Sequence, residues 1–336
     1  QIKREIGRVQ THLADILTEK GDYSNAKTAY EAALSMMSEV EDTKSFATIL
    51  GKLGTLEKLQ GHHKEAEQHY KQALTQFQQL NKPKPEATAW HQLGTVYQET
   101  KQWKAAEPAY RKAAEIFKQQ EDLAGAAASW NQLAQISQIR GNLSKAEKWY
   151  RKAIEGNKVA ENWLGVSIGL SNLADLLQNQ PERIEEARQL AEASLSLDKT
   201  RDPAEAEIWK TYLILSKIAD KQKDATAAKT YRRLARETKA KCAKRHQQLQ
   251  QHKKFIDAVV QTATHPKLRK QLELMLRQRE EKGWRKLVKA IRQFLGGEKN
   301  WEKLCDGECL DLEDAIIMQD IIQRVENNHS KTNQPG

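Results

Sequence analysis

One spacing constrains this chain more than any other: a leucine recurs every 40 residues, at Leu13, Leu53, Leu93, Leu133 and Leu173, and each is followed by a small residue, Ala14, Gly54, Gly94, Ala134 or Ala174. A fixed period of this size marks a stacked repeat array, because one unit cannot bury its own apolar face and needs its neighbours to do so. Thirteen residues after the leucine stands an alanine (Ala26, Ala66, Ala106, Ala146), four further on a tyrosine (Tyr30, Tyr70, Tyr110, Tyr150), and three beyond that another alanine (Ala33, Ala73, Ala113, Ala153). A fifth unit keeps the pattern at Ala187 and Ala191 with one inserted residue near Pro181, and a sixth runs through Ile214, Ala227, Tyr231 and Leu234. Six units are expected to fill residues 1–236.

Within a unit the spacings of three, four and seven predict two helices, one carrying Trp90, Leu93, Gly94 and Tyr97 on a single face and the next Ala106, Tyr110 and Ala113. Gly21, Gly61 and Gly141, with Lys101 in the third unit, mark the break between them. Small residues let the paired helices approach closely, and the aromatic residue opposite fills the space. The pattern Trp-x-x-Leu-Gly-x-x-Tyr, then Ala, an aromatic residue and Ala, resembles the tetratricopeptide repeat. That resemblance implies an all-α fold, a right-handed α–α superhelix or tetratricopeptide solenoid. The usual repeat is about 34 residues; the longer one here is similar to arrays in kinesin light chains and in bacterial signalling and nucleotide-binding regulators. Pro108 falls inside a second helix, where a kink or a late helix start is expected.

In such a scaffold the binding surface is the concave face of the first helices. Residues two before and two after each marker leucine are placed there: Thr11 and Asp15, Gly51 and Thr55, His91 and Thr95, Asn131 and Gln135, Ser171 and Asp175, Tyr212 and Ser216. These positions hold no lysine or arginine. Repeat domains of this family that capture a terminal carboxylate use Lys and Asn there, so chaperone-tail binding is not expected; neutral donors and acceptors suit the backbone of an extended peptide, or a helix laid in the groove. Most aromatic residues, Trp90, Trp130 and the repeat tyrosines among them, are in packing register; Trp103, Trp149 and Trp163 lie off it and are candidates for exposure or for contacts between units.

Beyond residue 236 the period is lost but amphipathic runs continue: Phe255 to Val260, Leu268 to Leu276, Trp284 to Leu295 ending at Gly296-Gly297, and a last run from an N-cap at Asp311 through Ile316, Ile321 and Val325. A C-terminal helical capping bundle over 237–327, with an acidic last helix, and a disordered tail at 328–336 are expected. The net charge of +10 is uneven, summing to about +1 over 1–230, +14 over 231–300 and −5 over 301–336. Arg232, Arg233, Arg236, Lys241, Lys244, Arg245, Lys253, Lys254, Lys267, Arg269, Lys270, Arg285, Lys286 and Lys289 form the basic segment, with Lys239 among them. A phosphate backbone is the alternative partner if these converge on one face; the competing reading folds Asp306, Glu308, Asp311, Glu313 and Asp314 back onto them.

Catalytic and metal chemistry finds no footing. Cys305 and Cys309 lack further zinc ligands nearby, and His62, His63 and His69 have no recognisable metal spacing. Phosphate-binding glycine loops, Gly-x-Ser-x-Gly elbows and His-Glu-x-x-His motifs are absent from the sequence. No apolar stretch approaches the roughly 20 residues of a membrane helix, and no targeting segment or lipidation signal stands out; with three cysteines, a reducing cytoplasm is the expected compartment. The expectation is a non-catalytic scaffold or sensor module, needing no cofactor or metal, that binds a protein or peptide and forms one piece of a larger bacterial signalling or defence polypeptide with an upstream domain.

Overall fold

The repeat period becomes visible as one turn repeated every 20 residues. Each of the first eight helices closes on a residue with left-handed backbone, Gly21, Glu41, Gly61, Asn81, Lys101, Glu121, Gly141 and Glu161, with φ between 50° and 78°. The two amides that follow bond backwards: Gly21 N–H to Thr18 O (3.0 Å) and Asp22 N–H to Leu17 O (2.9 Å), a Schellman arrangement that satisfies the orphan carbonyls. Asp22 then caps the next helix through Asn25 N–H, as Asp42, Asp122 and Asn142 do in their turns. Stop and start signals thus occupy adjacent residues, which keeps the helices at a near-constant length.

The computed structural model describes residues 1–198, 207–241, 252–298, 300, 304, 310 and 312–332, and the side chains of all these except 240, 241, 264, 266, 312, 313 and 327–332. It divides into two compact units, Gln1–Leu176 and Leu177–Gly336. The first holds α1 (Ile2–Glu19), α2 (Tyr23–Glu39), α3 (Thr43–Leu59), α4 (His63–Gln79), α5 (Pro83–Glu99), α6 (Trp103–Gln119), α7 (Leu123–Ile139), α8 (Leu143–Val159) and nearly all of α9 (Trp163–Leu177). Consecutive helices from α1 to α8 pack on one another, and α3 touches α5 as α5 touches α7, so first helices stand side by side. No strand occurs among the described residues, whose fold is all-α as expected, with stacked helical hairpins in the first unit.

The marker residues earn their places in the core. Tyr70 and Tyr110 are buried with their rings flat against Gly54 and Gly94, where an added Cβ would stand 2.9 Å from ring carbons. Their hydroxyls reach Thr55 (2.9 Å) and Thr95 (3.2 Å), and Tyr30 donates to Asp15 (2.6 Å), so each ring pins a first helix to its second. Helix α6 runs unbroken from Trp103 through Pro108, contrary to the expected late start. Pro108 and Lys104 are exposed, so the Lys104 carbonyl deprived of its partner faces water.

The second unit begins with a 3₁₀ turn at Pro181–Arg183 leading into α10 (Ile184–Asp198), followed by α11 (Ile208–Lys221) and α12 (Ala225–Lys241). Then come α13 (Lys253–Thr264), α14 (Arg269–Glu281), α15 (Arg285–Leu295) and α16 (Leu312–Thr332). Phe255, Ile256, Val259, Leu272, Leu276, Leu287, Ile291, Met318 and Ile321 share one core, the bundle read from the sequence. Helix α16 also packs on α12. It extends to Thr332, beyond the expected end at 327, since no proline or glycine interrupts it before Pro335. The unit boundary at 176/177 lies beside the Pro181 insertion, whereas the period alone suggests one at 236.

Candidate functional site

Side chains of neighbouring first helices are linked in a polar ladder. Lys52 of α3 donates to both Asp15 carboxylate oxygens of α1 (2.7 and 2.8 Å). Lys58 of α3 donates to Gln92 Oε1 of α5 (2.9 Å), and His91 Nδ1 lies 2.9 Å from Ser129 Oγ of α7. The Gln98 amide of α5 donates to Gln132 Oε1 (3.2 Å) and Gln135 Oε1 (3.4 Å) of α7, and Asn172 of α9 donates to Asn131 (3.0 Å). Thr11, Thr55 and Thr95 return their hydroxyl protons to their own helices, at Gly7, Gly51 and His91 carbonyls. Thr55 having spent its proton, Tyr70 is the donor in the bond they share.

Most expected lining residues, Thr11, Asp15, Thr55, His91, Thr95, Asn131 and Gln135, fall on or beside this ladder and are half-buried; so is Asp175, while Ser171 is buried. Tyr212 belongs to the second unit, where its ring stacks on Tyr231 at 6.3 Å. The expectation of a lining without cations is corrected by Lys52 and Lys58. They stand one residue before and five after the marker Leu53, and 3.6 residues per turn puts those places on the same stripe as Thr55. Gln92, Gln132, Asn172 and Gln98 were missed for the same reason. Helical geometry alone was the signal that could have found them.

The ladder holds one ion pair, Lys52 with Asp15, and disfavours charge around His91 and Lys58. Burial, reinforced by the Lys58 charge, drops the His91 imidazole to about 4, so it is uncharged at neutral pH. Burial also lowers Lys58, with Glu99 opposing. The Gln98 carbonyl oxygen is buried and accepts no hydrogen bond, while its amide protons are both directed at neighbours.

The histidines near the second turn hold structure together. His62 Nδ1 is 2.8 Å and Lys27 Nζ 2.7 Å from the buried Glu57 carboxylate, which joins α2, α3 and α4. Burial pushes that carboxyl up, but the bonds from Lys27 and His62 hold it below the usual range. Among the described residues no three His, Cys, Asp or Glu side chains could share a metal ion; Cys242, Cys305 and Cys309 lie outside them. Trp163 is exposed, whereas Trp103 and Trp149 pack half-buried on the third-hairpin core, with Lys152 over the Trp130 and Trp149 rings at 4.3 and 5.2 Å.

In the basic segment several cations already have partners. Arg232 pairs with Asp220 and Arg233 with Glu237; Arg236 is buried, and Arg269 donates to the Leu295 carbonyl (3.4 Å). Lys253, Lys254, Lys267, Lys270, Arg285, Lys286 and Lys289 are exposed, on three different helices and the short turn before α14. Lys244 and Arg245, the Lys241 side chain, and the acidic residues 306, 308 and 311 lie outside the described residues, as does the Glu313 side chain. No helix among those searched is long and apolar enough to cross a membrane.

A family described as tetratricopeptide repeat matches residues 5–79, 85–158 and 125–200, more than half of the chain. Among solved structures, the chain is similar to BtubC (BKLC) from P. vanneervenii, at 19% identity and a TM-score of 0.57, over 65% of this chain and 91% of that one. It is also similar to a signal transduction ATPase with numerous domains and a tetratricopeptide repeat sensor from Pyrococcus horikoshii, at 15% identity and a TM-score of 0.59, over 69% of this chain and 36% of that one. A third likeness is to PilF of Pseudomonas aeruginosa, at 17% identity and a TM-score of 0.52, over 69% and 90%. At these identities the likeness concerns the fold. No curated protein matches the chain.

Proposed function

The chain belongs to the tetratricopeptide repeat family, whose fold implies a protein–protein interaction or scaffold role, and on that premise we propose that it is a non-catalytic module that holds an extended peptide segment of a partner protein against the first-helix ladder. The observation that carries this reading is Gln98. Its carbonyl is a buried acceptor without a partner, a state that costs about 1–3 kcal/mol until a donor arrives. A backbone N–H of a bound strand is such a donor once the Gln98 side chain turns its oxygen outward, and the neighbouring Asn131, Gln132 and Gln135 amides offer further donors and acceptors for peptide groups. Because the ladder is already hydrogen-bonded, the partner bears most of the ordering cost. The setting we propose is a larger bacterial signalling or defence protein in a reducing cytoplasm, in keeping with the sensor arrangement of the archaeal ATPase to which the chain is similar.

Peptides selected from a random display library on the wild-type chain provide the test. Binding should fall at least about 30-fold, the loss of one interface hot spot, in the double variant Asn131→Arg/Gln135→Arg with helicity unchanged. Selected peptides that bind this double variant as tightly as wild type would remove the ladder from the binding site. Peptides that instead lose binding when Lys253, Lys254, Lys267 and Lys270 are changed to Gln would move it to the basic segment.

A further inference from the structure

The second helices of the first unit grow more basic along the array. Helix α2 holds one lysine or arginine and two carboxylates, α4 two and two, α6 four and two, and α8 five and two. Three of these cations gather between α6 and α8, over a floor that α7 supplies. Arg111 stands 5.2 Å from the centroid of the Trp149 ring, and the Lys152 ammonium lies 4.3 Å from that of Trp130 and 5.2 Å from that of Trp149, the distances at which an indole face attracts a cation. Burial lowers the Lys152 ammonium, and the charges of Lys118 and Arg111 lower it further, so the three are near enough to repel one another.

This groove departs from the repeat. The place of Trp149 holds Ala29, His69 and Ala109 in the other three second helices, and that of Gly156 holds Met36, Gln76 and Ile116. An added Cβ at Gly156 would stand 2.9 Å from Trp130 Cζ3, so the glycine lets that indole lie against α8. Between α2 and α4 the places of Arg111, Lys118 and Lys152 hold Glu31, Ser38 and Gln72. Carboxylates do not offset the cations. Glu107 is shared by Arg111 (2.8 Å), Lys145 (2.7 Å) and Arg140 (3.3 Å), Glu115 pairs with Lys112 (3.9 Å) and Glu147 with Arg151 (3.0 Å). Among the described residues Lys118 and Lys152 pair with no carboxylate, and Arg111 keeps its Nη1 without a partner. Glu121 and Glu155, three residues after Lys118 and Lys152, are exposed and pair with no cation. Even with these two counted, Arg111, Lys118, Arg140, Lys145 and Lys152 outnumber Glu107, Glu121 and Glu155.

We propose that the groove between α6 and α8 is a second binding site, separate from the first-helix ladder, for an acidic segment of a partner protein, with one carboxylate at Arg111 and another between Lys118 and Lys152. Arg111 and Lys118 stand seven residues apart on α6, about 10.5 Å along the helix axis. A single small anion reaches one end only. A segment in polyproline II form has three residues per turn and a rise of about 3.1 Å, which puts side chains i and i+3 on one side about 9 Å apart, so the recognised pattern is acidic residues at every third position. A nucleic acid backbone gains its affinity from a longer run of phosphate contacts than three cations in one groove provide. The indole floor holds Arg111 and Lys152 in place before binding, which spares part of their ordering cost.

Fluorescence anisotropy of a fluorescein-labelled (Glu-Pro-Pro)4 peptide on the full chain at low salt tests this, with (Gln-Pro-Pro)4 as the uncharged control. The acidic peptide should bind and the control should not. Affinity should fall about fivefold or more in Lys118→Gln/Lys152→Gln, the loss of two ion pairs, with helicity unchanged. It should fall less than about twofold in Lys112→Gln/Lys158→Gln, which removes the same charge from the place of Lys152 one repeat earlier and that of Lys118 one repeat later. Equal losses in the two double variants would overturn the proposal, since general basicity would then carry the binding. Absence of binding up to about 1 mM peptide, the limit of a weak contact, would overturn it as well. So would a loss confined to Lys253, Lys254, Lys267 and Lys270 changed to Gln. A dT12 oligonucleotide that binds more tightly than the peptide and depends on Lys118 and Lys152 would overturn the choice of occupant and assign the groove to a phosphate chain.

Discussion

Two glycines in one helix should respond to the same substitution with opposite sign. Gly51 and Gly54 both lie in α3, and alanine in place of either gains about 0.8–1.0 kcal/mol of helix propensity. At Gly51 an added Cβ meets nothing within 4 Å, so Gly51→Ala should stabilise by about that amount. At Gly54 the Cβ would stand 2.9, 3.0 and 3.1 Å from three Tyr70 ring carbons, inside the roughly 3.5–4.0 Å optimum. The ring must withdraw by about half an ångström or more, yet it is 2% exposed and its hydroxyl is tied to Thr55. Overpacking of this kind costs about 1–3 kcal/mol, which leaves Gly54→Ala between neutral and about 2 kcal/mol destabilised. The effect stays moderate because Ala14 and Ala134 occupy the same place opposite Tyr30 and Tyr150, whose hydroxyls go to Asp15 and to Gln138. Repeat arrays can unfold in parts, so urea denaturation by circular dichroism belongs with hydrogen exchange of α3 and α4 amides. A Gly54→Ala chain as stable as Gly51→Ala would refute the idea that the glycine is there for the tyrosine.

Lys101 adopts φ 59° at a turn where Gly21, Gly61 and Gly141 stand in three other hairpins; relieving that strain with Lys101→Gly should raise stability by about 0.5–1 kcal/mol, seen as a higher urea midpoint. His91 has a folded value near 4, well below its ordinary 6.5, because burial opposes its charge. It contributes stability above about pH 6.5 that is lost as pH falls toward 4, so His91→Gln should flatten the fall in urea midpoint between pH 7 and 4; an equally steep fall would mean that other groups carry it. Peptide capture by the mostly neutral ladder should change less than about threefold between 50 and 200 mM salt, whereas binding through six or more phosphate contacts would drop at least about 1,000-fold.

The period made the fold legible because each marker has a single packing task. Tyr70 needs a glycine beneath it, and Ala66 and Ala73 let α3 and α4 meet. Less legible were the turns. Glu41, Asn81, Glu121 and Glu161 take left-handed backbone without being glycine, since two backward amide bonds at each turn fix a conformation that local propensity disfavours. Lys52 and Lys58 fall outside a lining placed two residues before and two after each leucine, yet they stand three residues either side of Thr55, a step that a helix face also admits. Leu13 carries the marker spacing yet is 45% exposed. Its sisters owe their burial to the second helix before them, and no pattern within one repeat can report whether that neighbour is there. The tryptophans off register divided between roles, Trp163 outward and Trp149 beneath Lys152, for burial depends on what the adjacent hairpin presents.

The ladder also bears on how such a site could act as more than a passive clamp. Its links run between hairpins, Lys52 to Asp15, Lys58 to Gln92, Gln98 to Gln132 and Asn172 to Asn131, so each depends on the spacing of neighbouring first helices. A strand bonding to these amides must either insert beside existing bonds or replace them. Insertion at Gln98 gains an empty acceptor, but that oxygen is buried and its side chain must turn outward to meet the strand; replacement of Asn172 by a peptide group exchanges one amide bond for another at little net energy. On the proposed reading, ligand contacts and inter-hairpin contacts would draw on the same side chains, and occupancy at one hairpin would alter what holds the next at its distance. A scaffold built on buried hydrophobic contacts alone would have no such coupling, since its groove would be indifferent to the spacing of its helices.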